Sequence, residues 1–292
     1  MTMNRQMLQG RVAIVTGAGK GLGRAWAVHL ASLGASLVIN NRATAGQPGG
    51  SSADSVVAEI LAAGGSAVAN RDSVESVDTG PRLVELALRD FGRLDIVIAN
   101  AGIDRAMSFH KQSLADFEHV MEVNFFGAAR LLHAAWPVLR EANYGRVLVS
   151  TSTAGLYGNH GQAAYASSKA ALQGLVKSLS IEGASRNIGV NSIAPYAATQ
   201  LTRAAFPGEQ AGRFSPGATA PLVAWLVSEQ CALRGKTLVA GAGSARLVQT
   251  LEGETIVLGE DIPAAIEKLQ ARSCDHAPAS ASAEFEDFRG SL

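Results

Sequence analysis

Arg11–Gly34 reads RVAIVTGAGKGLGRAWAVHLASLG. Arg11–Thr16 is a short apolar run, the pattern of a strand buried on both faces. Gly17-Ala18-Gly19-Lys20-Gly21-Leu22-Gly23 follows without a break. Arg24–Leu33 then places apolar residues at helical spacing and stops at Gly34, a C-cap residue. Strand, glycine turn and helix in succession is the context in which a glycine cluster signifies nucleotide binding. Glycines let the backbone approach a pyrophosphate, and the helix N-terminus offers free N–H groups and the positive end of a dipole. The spacing here, Thr16-Gly17-x-x-x-Gly21-x-Gly23, is a variant of G-x-G-x-x-G. A plain tight turn is the competing reading, and the flanking strand and helix weigh against it.

The rest of the chain continues this unit. Strands are expected at Ala35–Asn40, Ser66–Asn70, Leu94–Ala99, Tyr144–Ser150, Ile188–Ile193 and Lys236–Ala240. Helices are expected at Ala53–Ala63, Val77–Phe91, Ser113–Leu139 and from Tyr165 to near Ser185. Such alternation gives an α/β fold, a single-domain Rossmann-type doubly wound parallel sheet of about seven strands with helices on both faces. That domain is expected to span 1–248. Residues 249–292 read as a C-terminal extension with one short helix at Pro263–Ala271 and a partly disordered tract at Cys274–Ala283. Residues 1–10 read as an untethered lead-in, and 43–52 as a Gly/Ser/Pro excursion.

Composition narrows the function. The 292 residues carry 25 Lys and Arg against 25 Asp and Glu, so no basic surplus points to nucleic acid or an anionic membrane. No apolar run reaches the roughly 18 residues that span a bilayer. The N-terminal MTMNRQMLQGR has no apolar signal core, and a cytoplasmic protein is expected. Cys231 and Cys274 show no metal or disulfide spacing. His29, His110, His119, His133, His160 and His276 show no ligand spacing either, so no metal is expected.

A second stretch carries chemistry. Ser150–Ala170 reads STSTAGLYGNHGQAAYASSKA. Tyr165 and Lys169 are four apart, on one helix face. A phenol titrates near ~10 and is a poor base at neutral pH, but a neighbouring ammonium favours the phenolate. Ser152, on the preceding loop, is placed to hydrogen-bond a substrate oxygen. His160, between Ser152 and Tyr165, is the histidine placed to face substrate. Asn124 is a poor helix former inside a long helical stretch, either a satisfied buried amide or a kink and polar relay behind the site. Pro195–Pro221, broken by Pro and Gly and carrying Tyr196, Thr199, Phe206, Pro207, Phe214 and Pro216, reads as a substrate lid over 196–221.

Cofactor choice is read after the second strand. About 20 residues past the first glycine, a dinucleotide site places an acid for the adenosine ribose. Here stand Asn40, Asn41 and Arg42. Asn41 does not repel a 2′-phosphate, Arg42 can pair with one, and Lys20 can help. NADP is therefore expected, with NAD as the alternative. Asp72 and Ser73 end the third strand, where they can touch adenine or cap a helix. Asn100-Ala101-Gly102 ends the fourth, with small residues that admit a cofactor close to the backbone.

Taken together in order and spacing, these motifs resemble the short-chain dehydrogenase/reductase family from about Gln9 to Gly243. The resemblance implies four catalytic positions, Asn124, Ser152, Tyr165 and Lys169. Tyr165 would be the acid/base. Lys169 would lower its pKa and hold the nicotinamide ribose, Ser152 would orient the substrate oxygen, and Asn124 would hold a water relaying protons to Lys169. It also implies cofactor contacts at Pro195 and Thr199 and a homodimer or homotetramer. VAIVTGAGKGLGRA, GRVLVSTSTAGLYGNHGQAAYASSKAAL and SIEGASRNIGVNSIAP are similar to the dehydrogenase region of the type 2 peroxisomal multifunctional enzymes. That branch implies oxidation of (3R)-hydroxyacyl-CoA or a hydroxysteroid. The chain departs from it at Asn41, where those relatives carry an NAD-selecting Asp, and from the wider family at Tyr196, where Gly usually follows Pro. Reduction of another bulky or aromatic ketone, or nucleotide sensing without turnover, are the alternatives.

Overall fold

The computed structural model describes residues 6–43, 52–200, 202, 206, 208, 210–256, 258 and 260–291. Most of the 43–52 excursion, and Pro207 of the lid, lie outside the described residues. The chain divides into two compact units, Met1–Leu247 and Val248–Leu292.

The first unit begins with β1 (Val12–Thr16), α1 (Gly21–Ser32), β2 (Ser36–Asn40), α2 (Ser52–Ala62), β3 (Ser66–Asn70), α3 (Thr79–Phe91) and β4 (Ile96–Ala99). It continues through α4 (Leu114–Met121), α5 (Gly127–Glu141), β5 (Gly145–Ser150), α6 (Thr153–Tyr157), α7 (Ala163–Gly183) and β6 (Ile188–Pro195). It closes with α8 (Gln210–Arg213), α9 (Ala220–Leu226), β7 (Thr237–Gly241) and β8 (Ser244–Val248). The strands form one sheet in the order β3-β2-β1-β4-β5-β6-β7-β8. Strands β1 to β7 pair in parallel, and the order reverses between β1 and β4. Ligands of such sheets bind at that switch point, beyond the strand C-termini.

The apolar run of β1 divides by period two. Ala13 and Val15 join a core with Trp26, Leu30, Val56 and Ile60. Val12 and Ile14 join a second core with Leu83, Leu131, Leu172 and Val176 on the other face. Both faces are thus covered by helices, as a parallel sheet requires.

Several expectations change. The sheet has eight strands rather than seven, because β7 turns back into β8 through Ala242 and Gly243, both at positive φ (49° and 73°). A two-residue connection of that kind builds an antiparallel hairpin. The lead-in is tied down over its described part: Leu8 is buried, and its N–H donates to Leu33 O at 3.0 Å. The single long helix at 113–139 is interrupted by a π turn at Glu122–Phe126, between α4 and α5. Ser113 caps α4 by accepting from Asp116 N at 3.1 Å, as the capping-box spacing implies.

The second unit holds β9 (Glu252–Gly253), α10 (Ile262–Gln270), β10 (Cys274–His276) and α11 (Ala281–Gly290). β10 pairs antiparallel with β9. Asp261 and Ser280 cap the two helices, each accepting from the N–H three residues on at 3.1 Å. Regular structure therefore occupies much of the 274–283 tract that composition marks as disordered.

Candidate active site

The glycine turn builds the first half of the site. Gly17 and Gly21 have φ of 62° and 54°, the region glycine enters freely. A Cβ on Gly23 would lie 2.9 Å from Ala18 Cα, so α1 docks on the turn only without one. A Cβ on Gly19 would lie 2.8 Å from Asn41 Cγ, so Gly19 backs the turn against β2 rather than lining the cavity. Lys20 N-caps α1 with extended backbone, no side-chain cap and no acid in the first turn. The first N–H groups of α1 are left to a ligand.

They open on a cavity of about 270 Å³. Gly17, Lys20, Gly21, Leu22 and Gly23 form one wall, and Asn41, Arg42 and Ser73 another. Asn100, Ala101, Gly102 and Thr199 complete it. A Cβ on Gly17 would meet Ala101 Cα at 2.8 Å, which shows how closely the two strand ends approach. The donor set fits a dinucleotide: backbone N–H groups for the pyrophosphate, and polar side chains at the β2 end. Asn41 Nδ2 is held by Ser52 Oγ at 2.7 Å. Arg42 lies 3.8 Å from Glu75, which sequence reasoning did not single out and which also lines the cavity. Asp72 does not line it. Its carboxylate accepts from Asn70 Nδ2 at 3.0 Å and pairs with Arg82 at 3.5 Å.

The second half is a cavity of about 740 Å³ sharing Leu22, Asn100, Gly102 and Thr199 with the first. Ser152, Tyr165, Lys169 and Pro195 line it. Ser152 sits at the end of β5 as N-cap of α6, accepting from Ala154 N at 3.1 Å. Its hydroxyl also bonds the Tyr165 phenol, which pulls the phenol pKa down, but burial outweighs this and raises it. Asp104 adds to the rise. Lys169 is buried, and burial lowers its pKa to about 8. Its Nζ donates to Ser150 O at 2.8 Å and lies over the Tyr165 ring, 5.6 Å from the centroid. The ammonium therefore meets the ring face, and the phenol pKa is raised where the resemblance implies it is lowered.

Asn124 lies within the π turn. Its Oδ1 accepts from Ile103 N at 2.8 Å, and its Nδ2 donates to Ile103 O at 2.9 Å and Ser168 Oγ at 3.0 Å. Both readings of this residue meet here: the amide is satisfied and buried, and the helix is distorted to let it clamp the loop after β4. A Cβ on Gly102 would lie 3.3 Å from Asn124 Oδ1 and 3.4 Å from Lys169 Nζ, so that loop is packed onto the site.

His160 is exposed and does not line the cavity. Residues not singled out do: Asp104, Tyr157, Asn159 and Gln162. Gln162 was findable as the polar residue just before the Tyr165 helix, and it is the N-cap residue of α7. Asp104 follows the end of β4, at the binding edge of the sheet. From the lid segment, Tyr196, Thr199, Thr202 and Phe206 line the cavity, and the Phe206 ring lies against Phe214, centroids 4.8 Å apart. No group of residues able to hold a metal occurs among the described residues, and no helix of the described chain is long and apolar enough to cross a membrane.

A nucleotide cradle at the switch point, opening into a cavity with a serine, tyrosine and lysine, defines an oxidoreductase that works with a nicotinamide cofactor. The short chain dehydrogenase family model matches residues 11–210, and the chain belongs to the short-chain dehydrogenase/reductase family. It is an NAD(P)-dependent oxidoreductase. It is 46% identical over 244 residues to a short-chain type dehydrogenase/reductase of Mycobacterium tuberculosis, covering 82% of this chain and 85% of that one. To the peroxisomal multifunctional enzyme type 2 of Mus musculus it is 39% identical over 290 residues, 97% of this chain but 39% of that protein. The crystal structure of a short chain dehydrogenase from Mycobacterium avium superposes with a TM-score of 0.82 at 32% identity, covering 94% of this chain and 99% of that one. The resemblance read from the sequence, to the family and to the multifunctional-enzyme branch, is thereby borne out.

Proposed function

We propose that this enzyme interconverts a 3-hydroxyacyl thioester and its 3-oxo form, with NADP preferred over NAD. The observation that carries the reading is the run of Ser152, Tyr165 and Lys169 along a cavity continuous with the nucleotide cradle. The likeness to a multifunctional enzyme over nearly the whole chain supports a thioester. A nicotinamide held by the Gly17–Gly23 turn, Asn100 and Lys169 would supply or take the hydride and, in its oxidised form, would bring a positive charge to the site. Tyr165 exchanges the carbinol proton, and the Ser152 hydroxyl holds the substrate oxygen. Lys169 holds the nicotinamide ribose, and Asn124, through its Oδ1, holds a water that relays protons to Lys169. Tyr196 and Phe206 belong to a lid over 196–221 that closes the substrate side.

The NADP preference rests on Lys20 in the glycine turn and on Asn41 and Arg42 after β2, where β2 itself ends without a carboxylate. A 2′-phosphate brings Arg42 a bidentate, charge-assisted partner, stronger than the carboxylate now 3.8 Å away. A hydroxysteroid or other bulky aromatic ketone is a second reading, favoured by Tyr157, Tyr196 and Phe206 around the cavity. Pairing of the α5 and α7 helices between copies, giving a dimer or tetramer, belongs to the same proposal, and light scattering reports it. The test is turnover of acetoacetyl-N-acetylcysteamine thioester with NADPH and with NADH. Faster turnover with NADPH supports the reading. Turnover confined to steroid or aryl ketones shifts the substrate, and equal use of both cofactors removes the preference.

A further inference from the structure

Glu75 lies in the turn between β3 and α3. It is the one carboxylate among the described residues lining the nucleotide cavity. The acids near it are engaged elsewhere, Asp72 with Asn70 and Arg82, and Asp54 with Arg71.

Three contacts fix Glu75 in place. Ser73 Oγ donates to its Oε2 at 2.7 Å. His119 Nδ1, on α4, lies 3.0 Å from its Oε1. From α5, Arg130 Nη1 donates to its backbone O at 3.0 Å. The Glu75 side chain is 28% exposed, so water screens its charge only in part. Arg42 is held far less. It is 58% exposed, and its Nη1 stands 3.8 Å from Glu75 Oε2, beyond hydrogen-bond range. The guanidinium is attracted but not clasped, and it can turn to another anion. Glu75 cannot withdraw when it does, because Ser73 and His119 hold its carboxylate. An anion that Arg42 grips in the cavity therefore meets the Glu75 charge as well.

We propose that Glu75 determines cofactor specificity: its fixed carboxylate opposes the 2′-phosphate that Arg42 attracts, so the charge at this position sets how far NADP is favoured over NAD. The inference rests on the reading of Arg42 as the phosphate ligand. NAD carries a neutral hydroxyl in place of that phosphate, so its affinity should depend little on the charge of residue 75. Glu75→Gln keeps the shape of the side chain and removes the charge. It ends the repulsion and releases Arg42 from its counter-ion, and both changes favour NADPH.

The test is fluorescence titration of NADPH and NADH on wild type, Glu75→Gln and Arg42→Ala. Glu75→Gln should bind NADPH about fivefold more tightly, the scale of a partly exposed ion pair. NADH affinity should stay within about twofold, which also shows that the cavity is intact. The NADPH gain over wild type should shrink in 1 M salt, where the screening length falls to about 3 Å. NADPH affinity that is unchanged or weaker in Glu75→Gln, or a gain that salt does not diminish, would overturn the proposal. If Arg42→Ala leaves the ratio of NADPH to NADH affinity unmoved, the Arg42 reading fails by itself. The repulsion is then decided by Glu75→Gln on the Arg42→Ala background. Tighter NADPH binding there, by about twofold, supports it, and equal affinity overturns it.

Discussion

Replacing Lys169 by Met should change how stability responds to pH. Lys169 is 3% exposed, and its Nζ has one protein acceptor, Ser150 O. Burial brings its pKa from 10.5 to about 8. That difference corresponds to about 3 kcal/mol of cost for holding the charge in the folded protein. Below pH ~8 both folded and unfolded chains carry the proton, and the full cost is present. Between pH ~8 and ~10.5 the folded protein releases the proton and the unfolded chain keeps it, so stability rises with pH. From about pH 7 to pH 9.5 the gain from this one group is about 2 kcal/mol. Lys169→Met has no such group and should not show it. Burial raises the pKa of Cys231, Tyr144 and Tyr165 as well, which opposes the trend at alkaline pH. Cys231 and Tyr144 are common to both proteins and cancel in the difference, whereas Tyr165 touches Lys169 and adds its own small change only near its raised pKa. Urea unfolding at the two pH values, on wild type and variant, measures it. Parallel pH dependence in the two proteins would refute a depressed lysine.

Three further outcomes follow from the geometry. Arg42→Ala should weaken NADPH binding about tenfold more than NADH binding, the scale of a charge-assisted hydrogen bond, as read by fluorescence titration; equal loss for both would remove Arg42 from cofactor choice. Asn124→Ala leaves the Ile103 N–H and C=O without their partners and should cost about 2–4 kcal/mol in denaturant unfolding. A loss below about 1 kcal/mol would mean the clamp is dispensable. Gly23→Val should abolish binding of both cofactors, since a Cβ there already reaches within 2.9 Å of Ala18 Cα; calorimetric titration of either cofactor checks it.

Much of the fold was legible because it is written locally. The β1 run, the glycine turn and the Gly34 stop each follow from short-range chemistry, and Tyr165 and Lys169 share a face by helical spacing alone. The π turn at Glu122–Phe126 was not legible, since apolar spacing does not separate an i+5 hydrogen bond from an i+4 one over so few residues. Asn124 did mark the place, as a poor helix former where the helix distorts. The β7–β8 hairpin turns on Ala242 at positive φ, which no alanine advertises. Arg42 stood out as a cation, but its neighbour Glu75 comes from beyond β3, across the sheet rather than along the chain. The same holds for Asp104 and Gln162, brought together from 58 residues apart. His160 had the right position in sequence, but its loop turns the side chain outward. Asp72 had the right strand end, yet Asn70 and Arg82 hold it away from the cavity.

The central claim is that Tyr165 carries the proton in a nicotinamide-dependent reaction. The direct measurement is Tyr165→Phe beside wild type, with NADPH binding by fluorescence and NADPH consumption on acetoacetyl-N-acetylcysteamine thioester. The account predicts unchanged NADPH affinity and a loss of turnover of about 10²- to 10⁴-fold, the range for a missing general acid. Turnover retained in the variant, or wild type that binds NADPH but turns over no ketone, would contradict it.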